Sequence, residues 1–203
     1  MTQRAENTKK QILAAAEAEF AEKGLYGARV DEIAARAAVN KRMLYAYFGD
    51  KEQLYVAVIR AVYDRLAAFE AELLVPKAET EEQRIRLLVH RYFDFLCDTP
   101  TFVKIIMWEN LNEGRYLRAS GAAQSKREML ALLRAALRAG VESGEFCATV
   151  DLDEVLLSIN LLCFSYFSNL HTFAQLVPFD LGTREQIARR ADHVSDMLLK
   201  YLK

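Results

Sequence analysis

Apolar residues recur every three or four positions along most of this 203-residue chain. That spacing is typical of amphipathic helices, and no alternating stretch of useful length predicts a strand. The pattern therefore predicts an all-α protein of about nine helices. Their approximate ranges are 8–23, 30–37, 41–48, 51–74, 80–97, 100–114, 120–143, 151–170 and 183–201.

Residues that favour helix ends support several of these boundaries. Gly24 is placed to stop the first helix, and Pro76 to stop the fourth. Thr80, Asp151 and Thr183 stand at the starts of the fifth, eighth and ninth helices, each followed three residues later by Gln or Glu. This is the spacing of a capping box, in which the two side chains satisfy free backbone amides. The caps delimit a helical bundle in the second part of the chain.

The predicted helices divide into a short head and a larger remainder. The first three occupy about fifty residues, and the long fourth helix joins them to the rest without a low-complexity linker or an internal repeat. We expect an N-terminal three-helix domain at 1–53 and a C-terminal helical bundle at 54–203, with the boundary inside the fourth helix near Gln53. Met1–Asn7 is expected to be a short flexible arm.

The segment Val30–Tyr55, VDEIAARAAVNKRMLYAYFGDKEQLY, has the order of a DNA-reading module: short helix, tight turn, short helix, new helix. Asn40 stands where its side chain can cap the third helix. Leu44 and Phe48 lie four residues apart and should point into the core. The outward positions suit a major groove, because they offer cations, tyrosine hydroxyls and small apolar groups. They are Lys41, Arg42, Met43, Tyr45, Ala46 and Tyr47.

A phosphate contact is predicted where the fourth helix begins. Asp50 can cap that helix, and Lys51 is its first residue. Free amides, the positive end of the helix dipole and an ammonium converge there. Between Arg36 and Lys51 the sequence holds four cations and one anion, although a solvated charged face is the usual meaning of such a surplus.

These residues resemble the N-terminal DNA-binding domain of the TetR family of transcriptional regulators, over about Thr8–Val58. The positions that fit the family pattern are Gly24, Val30, Ile33, Ala34, Ala37, Val39, Leu44, Tyr45, Tyr47, Phe48, Lys51 and Glu52. Ala38 and Asn40 replace the glycine and serine that are usual in the family's turn. Ala28 and Arg29 replace threonines, which removes the usual cap and phosphate hydroxyl at the second helix. We expect Arg29 to supply that phosphate contact, and Asn40 to lie at the DNA surface.

The resemblance implies a sequence-specific DNA-binding regulator. The expected form is a ligand-responsive repressor that binds a palindromic operator as a homodimer and is released by a small-molecule effector. Activation of transcription stays open as an alternative, and so does a helical protein-interaction module without specific DNA binding. An enzyme is not expected, because the sequence shows no nucleophile with an adjacent base and no paired carboxylates.

Composition adds few constraints. The net charge is -1, so the chain as a whole has no bias towards nucleic acid. No long uncharged apolar run predicts a membrane span and no signal-peptide pattern is present, so a cytoplasmic protein is expected. Three scattered cysteines and three dispersed histidines indicate neither a disulfide framework nor a metal site. No cofactor is predicted.

The last two predicted helices are unusually apolar, and the eighth is apolar on more than one face. Such a helix must bury two sides. In TetR-type proteins the last two long helices pair with those of a second subunit, so the resemblance implies a homodimer; a core helix of a single chain is the alternative. The expected interface residues are Leu156, Ile159, Phe164, Val194, Met197, Leu198 and Tyr201.

The family's C-terminal domain usually encloses a small-molecule pocket, and aromatic and polarisable side chains gather on the fifth to eighth predicted helices. An aromatic stripe at helical spacing is more often core than pocket. Trp108 and Tyr166 are the better candidates, because a buried indole N–H or phenol needs a polar partner. The full predicted set is Phe93, Met107, Trp108, Met129, Cys163, Tyr166 and Phe167.

Overall fold

The computed structural model describes residues 3–74 and 78–203. These residues form eleven α-helices and no strand, so the all-α prediction is confirmed. The helices are α1 (Gln3–Gly27), α2 (Val30–Arg36), α3 (Lys41–Phe48), α4 (Lys51–Leu73), α5 (Glu81–Asp98), α6 (Pro100–Leu111), α7 (Arg115–Ser120), α8 (Ala122–Glu142), α9 (Leu152–Ser168), α10 (Leu170–Phe173) and α11 (Arg184–Leu202). The predicted stop at Pro76 lies outside the described residues.

The first helix starts earlier than expected. The flexible-arm prediction is wrong from Gln3 onward, because α1 already begins there and the Thr8 hydroxyl bonds to the carbonyl of Arg4. Gln, Arg, Ala and Glu are good helix formers, and no breaker separates them from the rest of α1. At its other end α1 is interrupted at Gly24, whose φ of 66° and ψ of 179° are not helical, before a last turn ends at Gly27.

Two short helices were not predicted. The expected sixth helix, 100–114, ends as α6 at Leu111, and Glu113 and Gly114 adopt positive φ after it. The short α7 then occupies the interval that was expected to separate the sixth and seventh helices. Gly121, also at positive φ, then separates α7 from α8. The expected eighth helix ends at Asn169, and the single turn of α10 follows.

Four of the side chains that were expected to cap helices do so. The Asn40 side chain accepts a hydrogen bond from the amide of Met43 at 2.8 Å. Thr80 and Thr183 accept from amides three residues later, each at 3.2 Å, and Asp151 accepts from two amides of the first turn of α9. Each cap satisfies amides that the helix itself cannot bond.

Contacts group the described residues into two compact units, and the division falls inside α4. The first unit holds the chain up to Ala67 together with Thr101–Lys126, and the second holds Ala68–Pro100 together with Arg127–Lys203. The first unit therefore contains α6 and α7 in addition to the three N-terminal helices.

Aromatic contacts within the first unit join α1, α4 and α7. Buried Tyr55 on α4 meets Phe20 and Tyr116 edge to face, with ring centroids 5.0 and 5.1 Å apart. Such pairs add to the stabilisation from apolar burial.

A buried carboxylate caps the start of α7. Glu109 on α6 accepts hydrogen bonds from the backbone amides of Tyr116 and Leu117, each at 2.8 Å. Burial raises the pKa of Glu109, although these two amides partly oppose the increase.

The core of the second unit is formed by α5 packing against α9 and α11. The side chains of its buried centre are Ile85, Val89, Phe93, Ile159, Cys163 and Val194. Tyr92 on α5 donates a buried hydrogen bond to Glu70 of α4. Burial and the neighbouring Glu70 both raise the pKa of Tyr92, so the phenol stays protonated.

Candidate nucleic-acid interface

The connection between α2 and α3 is a tight turn of four residues, 37–40. Val39 N–H donates to the Ala34 carbonyl at 3.0 Å, which closes the turn over the end of α2. Ala38 sits at φ 53°, in the left-handed region that a residue with a Cβ enters only at a cost. The turn reverses the chain, and Asn40 then begins α3 by capping it.

Burial along α3 separates an inner from an outer face, as the spacing predicted. Leu44 and Phe48 are buried. Tyr47 is half-buried, whereas the remaining predicted contact residues of α3 are exposed. The exposed residues form the recognition face, which consists of Lys41, Arg42, Met43, Tyr45 and Ala46.

The recognition face carries less free positive charge than the sequence count suggested. Lys41 pairs with the carboxylate of Asp31 on α2 at 2.9 Å, and this hydrogen bond raises the pKa of the Lys41 ammonium. Arg36 pairs with buried Glu19 of α1 and with Glu22. The count over 36–51 omitted these acids because they come from α1 and the start of α2. Among the described residues, Arg42 has no ion-pair partner within 4 Å.

Lys51 contacts the chain directly before Arg29, at the start of α2. The half-buried Lys51 ammonium donates to the carbonyl of Ala28 at 3.2 Å, and Ala28 directly precedes Arg29. Arg29 is exposed at the N-cap position of α2, and its side chain makes no capping bond there. The Asp50 carboxylate caps α4 by accepting from the Gln53 amide at 2.8 Å. Two cations are thus held near two helix starts, an arrangement suited to phosphate.

A polar groove beside α3 was not anticipated. It encloses about 630 Å³ between the first turns of α1 and the turn that precedes α3. Its lining residues are Arg4, Asn7, Thr8, Gln11, Ala38, Val39, Asn40 and Met43. The four residues of α1 follow the spacing i, i+3, i+4, i+7, so they share one helix face. That spacing was visible in the sequence, but the expected start of α1 at Thr8 excluded the first two.

The residues predicted to bind a ligand are divided between the two units. In the first unit Met107 is exposed, and the Trp108 indole N–H donates to the Ala21 carbonyl at 3.3 Å. In the second unit the rings of Phe93, Tyr166 and Phe167 pack together, with centroids 5.4–5.7 Å apart. Cys163 is buried and Met129 is half-buried. The polar partner predicted for both Trp108 and Tyr166 is, in this structure, a backbone carbonyl.

Burial does not support four of the residues that were predicted for the dimer interface. Leu156, Ile159, Val194 and Leu198 are at most 5% exposed within their own chain, so they have almost no surface for a partner. They belong to the side of α9 and α11 that packs on α5. The spacing that identified them is the same for a core face and for an interface.

The opposite side of α9 and α11 is apolar and open. Leu157 and Leu161 are 50% and 57% exposed, and Phe164, one turn further on, is half-buried. Met197 and Tyr201 of α11 are 45% and 57% exposed. These five residues are called the α9–α11 face below. Phe164, Met197 and Tyr201 were in the predicted interface, whereas the two leucines were not.

Residues 3–74 and 78–203 contain neither a candidate metal site nor a candidate membrane span. No group of His, Cys, Asp and Glu side chains there is arranged to hold a metal ion. In the same residues, no helix combines the length and apolar character that a membrane span requires.

Comparison with known proteins gives matches in both parts of the chain. The family model of "Bacterial regulatory proteins, tetR family" matches residues 12–58. The family model "Tetracyclin repressor-like, C-terminal domain" matches residues 82–198, more than half of the chain.

Two curated proteins are similar over most of their length. The HTH-type transcriptional repressor NicS of Pseudomonas putida is 34% identical over 202 residues, which cover 99% of this chain and 95% of NicS. The HTH-type transcriptional repressor SCO4008 of Streptomyces coelicolor is 32% identical over 74% of this chain and 73% of its own.

Among solved structures, the transcriptional regulator FadR of Bacillus subtilis, crystallised in complex with stearoyl-CoA, has the same fold. It superposes with a TM-score of 0.75 at 21% identity, covering 96% of this chain and 99% of FadR.

Proposed function

Because the chain belongs to the TetR family of transcriptional regulators, we propose that it is a ligand-responsive repressor that binds a palindromic operator as a homodimer. The observation that carries this proposal is the recognition face. It lies on a helix fixed by the Asn40 cap and by buried Leu44 and Phe48, and its own residues are exposed. A helix held in this way can enter a major groove without a change in its backbone.

The proposed contacts have two different tasks. Arg29 and Lys51, near helix starts, bind phosphates and position the head. Arg42, Met43 and Tyr45, on the recognition face, contact base edges and select the sequence. When the complex forms, Lys41 breaks its ion pair with Asp31 and binds DNA instead. Asn40, Ala46 and Tyr47 complete the proposed surface.

Dimerisation is proposed through the α9–α11 face. A soluble monomer rarely leaves a contiguous large apolar patch exposed, and a second copy presenting the same face would cover it by two-fold symmetry. One head reads only a few base pairs. Two heads about 34 Å apart would reach successive major grooves of one operator.

Repression and response to a small molecule are supported by the relatives. NicS and SCO4008 are both named as repressors. FadR, which shares the fold, was crystallised with stearoyl-CoA, so a chain of this architecture can hold a small molecule. An effector would act by favouring dimer states whose heads do not fit the operator, since a ligand shifts an equilibrium only by its differential affinity for the two states.

Selection of bound sequences from a random double-stranded DNA pool tests the proposal. We expect a two-fold symmetric sequence to be enriched. Arg42→Ala should change which bases are enriched, whereas Lys51→Ala should weaken binding to all sequences about equally. Arg138→Ala, an exposed arginine on α8, is the control and should change neither.

Two results would contradict this assignment. Failure to enrich any sequence would favour a helical protein-interaction module. Equal effects of Arg42→Ala and Lys51→Ala on all sequences would show that the recognition face does not read bases. Because Lys51 also bonds the Ala28 carbonyl, thermal unfolding of its variant should be measured in parallel.

A further inference from the structure

A cavity of about 470 Å³ lies within the second unit, at the end of α9 and the start of α11. Its volume is in the range of sites that bind small molecules. The lining residues are Ser165, Tyr166, Phe173, Val177, Phe179, Leu181, Gln186, Arg189, Arg190 and His193. Of the seven residues that the sequence predicted for a ligand, Tyr166 lines this cavity.

The cavity joins an apolar wall to two guanidinium groups. Phe173, Val177 and Phe179 of the segment between α9 and α11 supply the apolar side. Arg189 and Arg190 come from α11, and among the described residues neither has an ion-pair partner within 4 Å. Two cations and an apolar wall in one cavity favour a ligand with an anionic head and an apolar body.

Three acids near these arginines have other partners, and Glu185, one turn before Arg189 on α11, forms no ion pair with it within 4 Å. On α11, Asp192 contacts His90 of α5 at 2.9 Å, and Asp196 pairs with Arg86 at 2.8 Å. Asp180, which precedes α11, accepts from the Gly182 amide at 2.7 Å. The Tyr166 hydroxyl donates to the Leu181 carbonyl at 2.7 Å, which fixes the ring in the wall. The charge of the arginines is therefore available to a ligand.

We propose that this cavity binds an organic monocarboxylate, with the carboxylate at Arg189 and Arg190 and the apolar body against Phe173, Val177 and Phe179. Guanidinium groups match a carboxylate through paired N–H donors, and the apolar wall contributes through the area it removes from water. As a regulatory site this inference rests on the proposed function, because it identifies the effector class. As a binding site it can be tested without DNA.

A second copy of the chain is a weaker candidate for filling the cavity. The α9–α11 face consists of Leu, Phe, Met and Tyr residues, so a copy docked through that face brings no acid from it to the two arginines. The cavity does adjoin this face along both helices. Ser165 directly follows Phe164, and His193 lies one turn before Met197. A bound carboxylate is therefore placed to alter how two copies pair.

Calorimetric titration of the full-length protein tests the binding. The probes are a panel of monocarboxylates from benzoate to dodecanoate, and octan-1-ol is the neutral counterpart of octanoate. At least one acid should bind saturably, and the alcohol should bind at least about tenfold more weakly than octanoate if octanoate binds. The double variant Arg189→Gln, Arg190→Gln should weaken acid binding by about tenfold or more. Arg138→Gln, an exposed arginine of α8 away from the cavity, should leave it unchanged.

The same preparations separate failure of this inference from failure of the proposed function. If a carboxylate binds through the two arginines, it should also release the protein from its selected DNA, and release should require the same arginines. Specific DNA binding with no saturable acid, or with binding insensitive to the double variant, overturns the inference and leaves the repressor proposal intact. Loss of dimerisation in the double variant without any acid binding also overturns it, since a partner would then fill the cavity. Acid binding without specific DNA binding would contradict the proposed function instead.

Discussion

The recognition face and the α9–α11 face are both exposed, yet they differ in almost every physical property. The recognition face is a short polar helix side whose cations partly bond to neighbouring groups, such as Lys41 with Asp31. The α9–α11 face is apolar and lies on two long helices. Charge interactions with a polyanion are screened by salt, whereas apolar contacts are not. DNA binding through the recognition face should therefore depend strongly on salt, whereas dimerisation through the α9–α11 face should not.

Salt gives the largest expected difference between them. If each head contacts about three to five phosphates, log affinity for operator DNA should fall against log salt with a slope of about -5 to -9 for the dimer. Affinity would then drop by about 10³ to 10⁵ between 50 and 200 mM salt, as measured by fluorescence anisotropy. The dimer dissociation constant should change by less than about tenfold over the same range, because the α9–α11 face carries no charge. A DNA slope near -1 would show that the head makes no substantial phosphate contact.

A charge placed on the α9–α11 face gives the next largest effect. Leu161→Glu should raise the dimer dissociation constant by at least about a hundredfold, since each copy would bury an unpaired carboxylate. Sedimentation equilibrium measures this constant. Leu132→Glu on α8 is a matched control, because Leu132 is 53% exposed and Leu161 is 57% exposed. Equal behaviour of the two variants would show that α9 does not carry the interface.

The two faces also differ in how far the sequence could predict them. In the head, spacing correctly assigned Leu44 and Phe48 to the core, and the caps at Asn40 and Asp50 were correct, because these are local interactions. On α9, periodicity identified an apolar helix but could not tell which side meets α5. Leu156 and Leu157 are adjacent and identical in type, yet one is buried and the other half exposed.

Features that depend on distant residues were missed for the same reason. The pairing of Lys41 with Asp31 crosses from α3 to α2, and the α11 cavity joins residues from three segments. The ligand prediction combined Trp108 with Tyr166 on residue type alone. Their hydrogen-bond partners, Ala21 and Leu181, are set by tertiary packing that no local pattern records.

Each unit contains a glycine that is covered by an aromatic ring, and this allows a direct comparison of their packing. A Cβ on Gly24 would lie 2.8 Å from the Trp108 ring, and one on Gly140 would lie 2.3 Å from the Phe146 ring. Gly24 is also at positive φ, so Gly24→Ala combines overlap with backbone strain and should cost about 2–4 kcal/mol in the free energy of unfolding. Gly140→Ala should cost about 1–2 kcal/mol, because better helix propensity offsets part of the overlap.

Urea unfolding measures both costs, and Gly121→Ala is the control for strain alone. Gly121 is at positive φ with no atom within 4 Å of an added Cβ, so its variant should lose only about 1 kcal/mol. Gly24→Ala should also weaken DNA binding, since the altered packing lies in the unit that contains the recognition face. Gly140→Ala should leave DNA affinity unchanged. The reverse pattern would mean that the two units do not behave as separate packing units.

The smallest effect concerns the turn on which the recognition face depends. Ala38 is held at φ 53°, where a Cβ is disfavoured and glycine is not. Ala38→Gly should therefore stabilise the protein by about 0.5–1 kcal/mol and leave operator preference unchanged, since the residue lies before α3. Ala35→Gly, the same change inside helical α2, should destabilise by about 1 kcal/mol, so the two substitutions three residues apart should have opposite signs. If both destabilise, the Cβ of Ala38 stabilises the groove that it lines by more than the backbone strain costs.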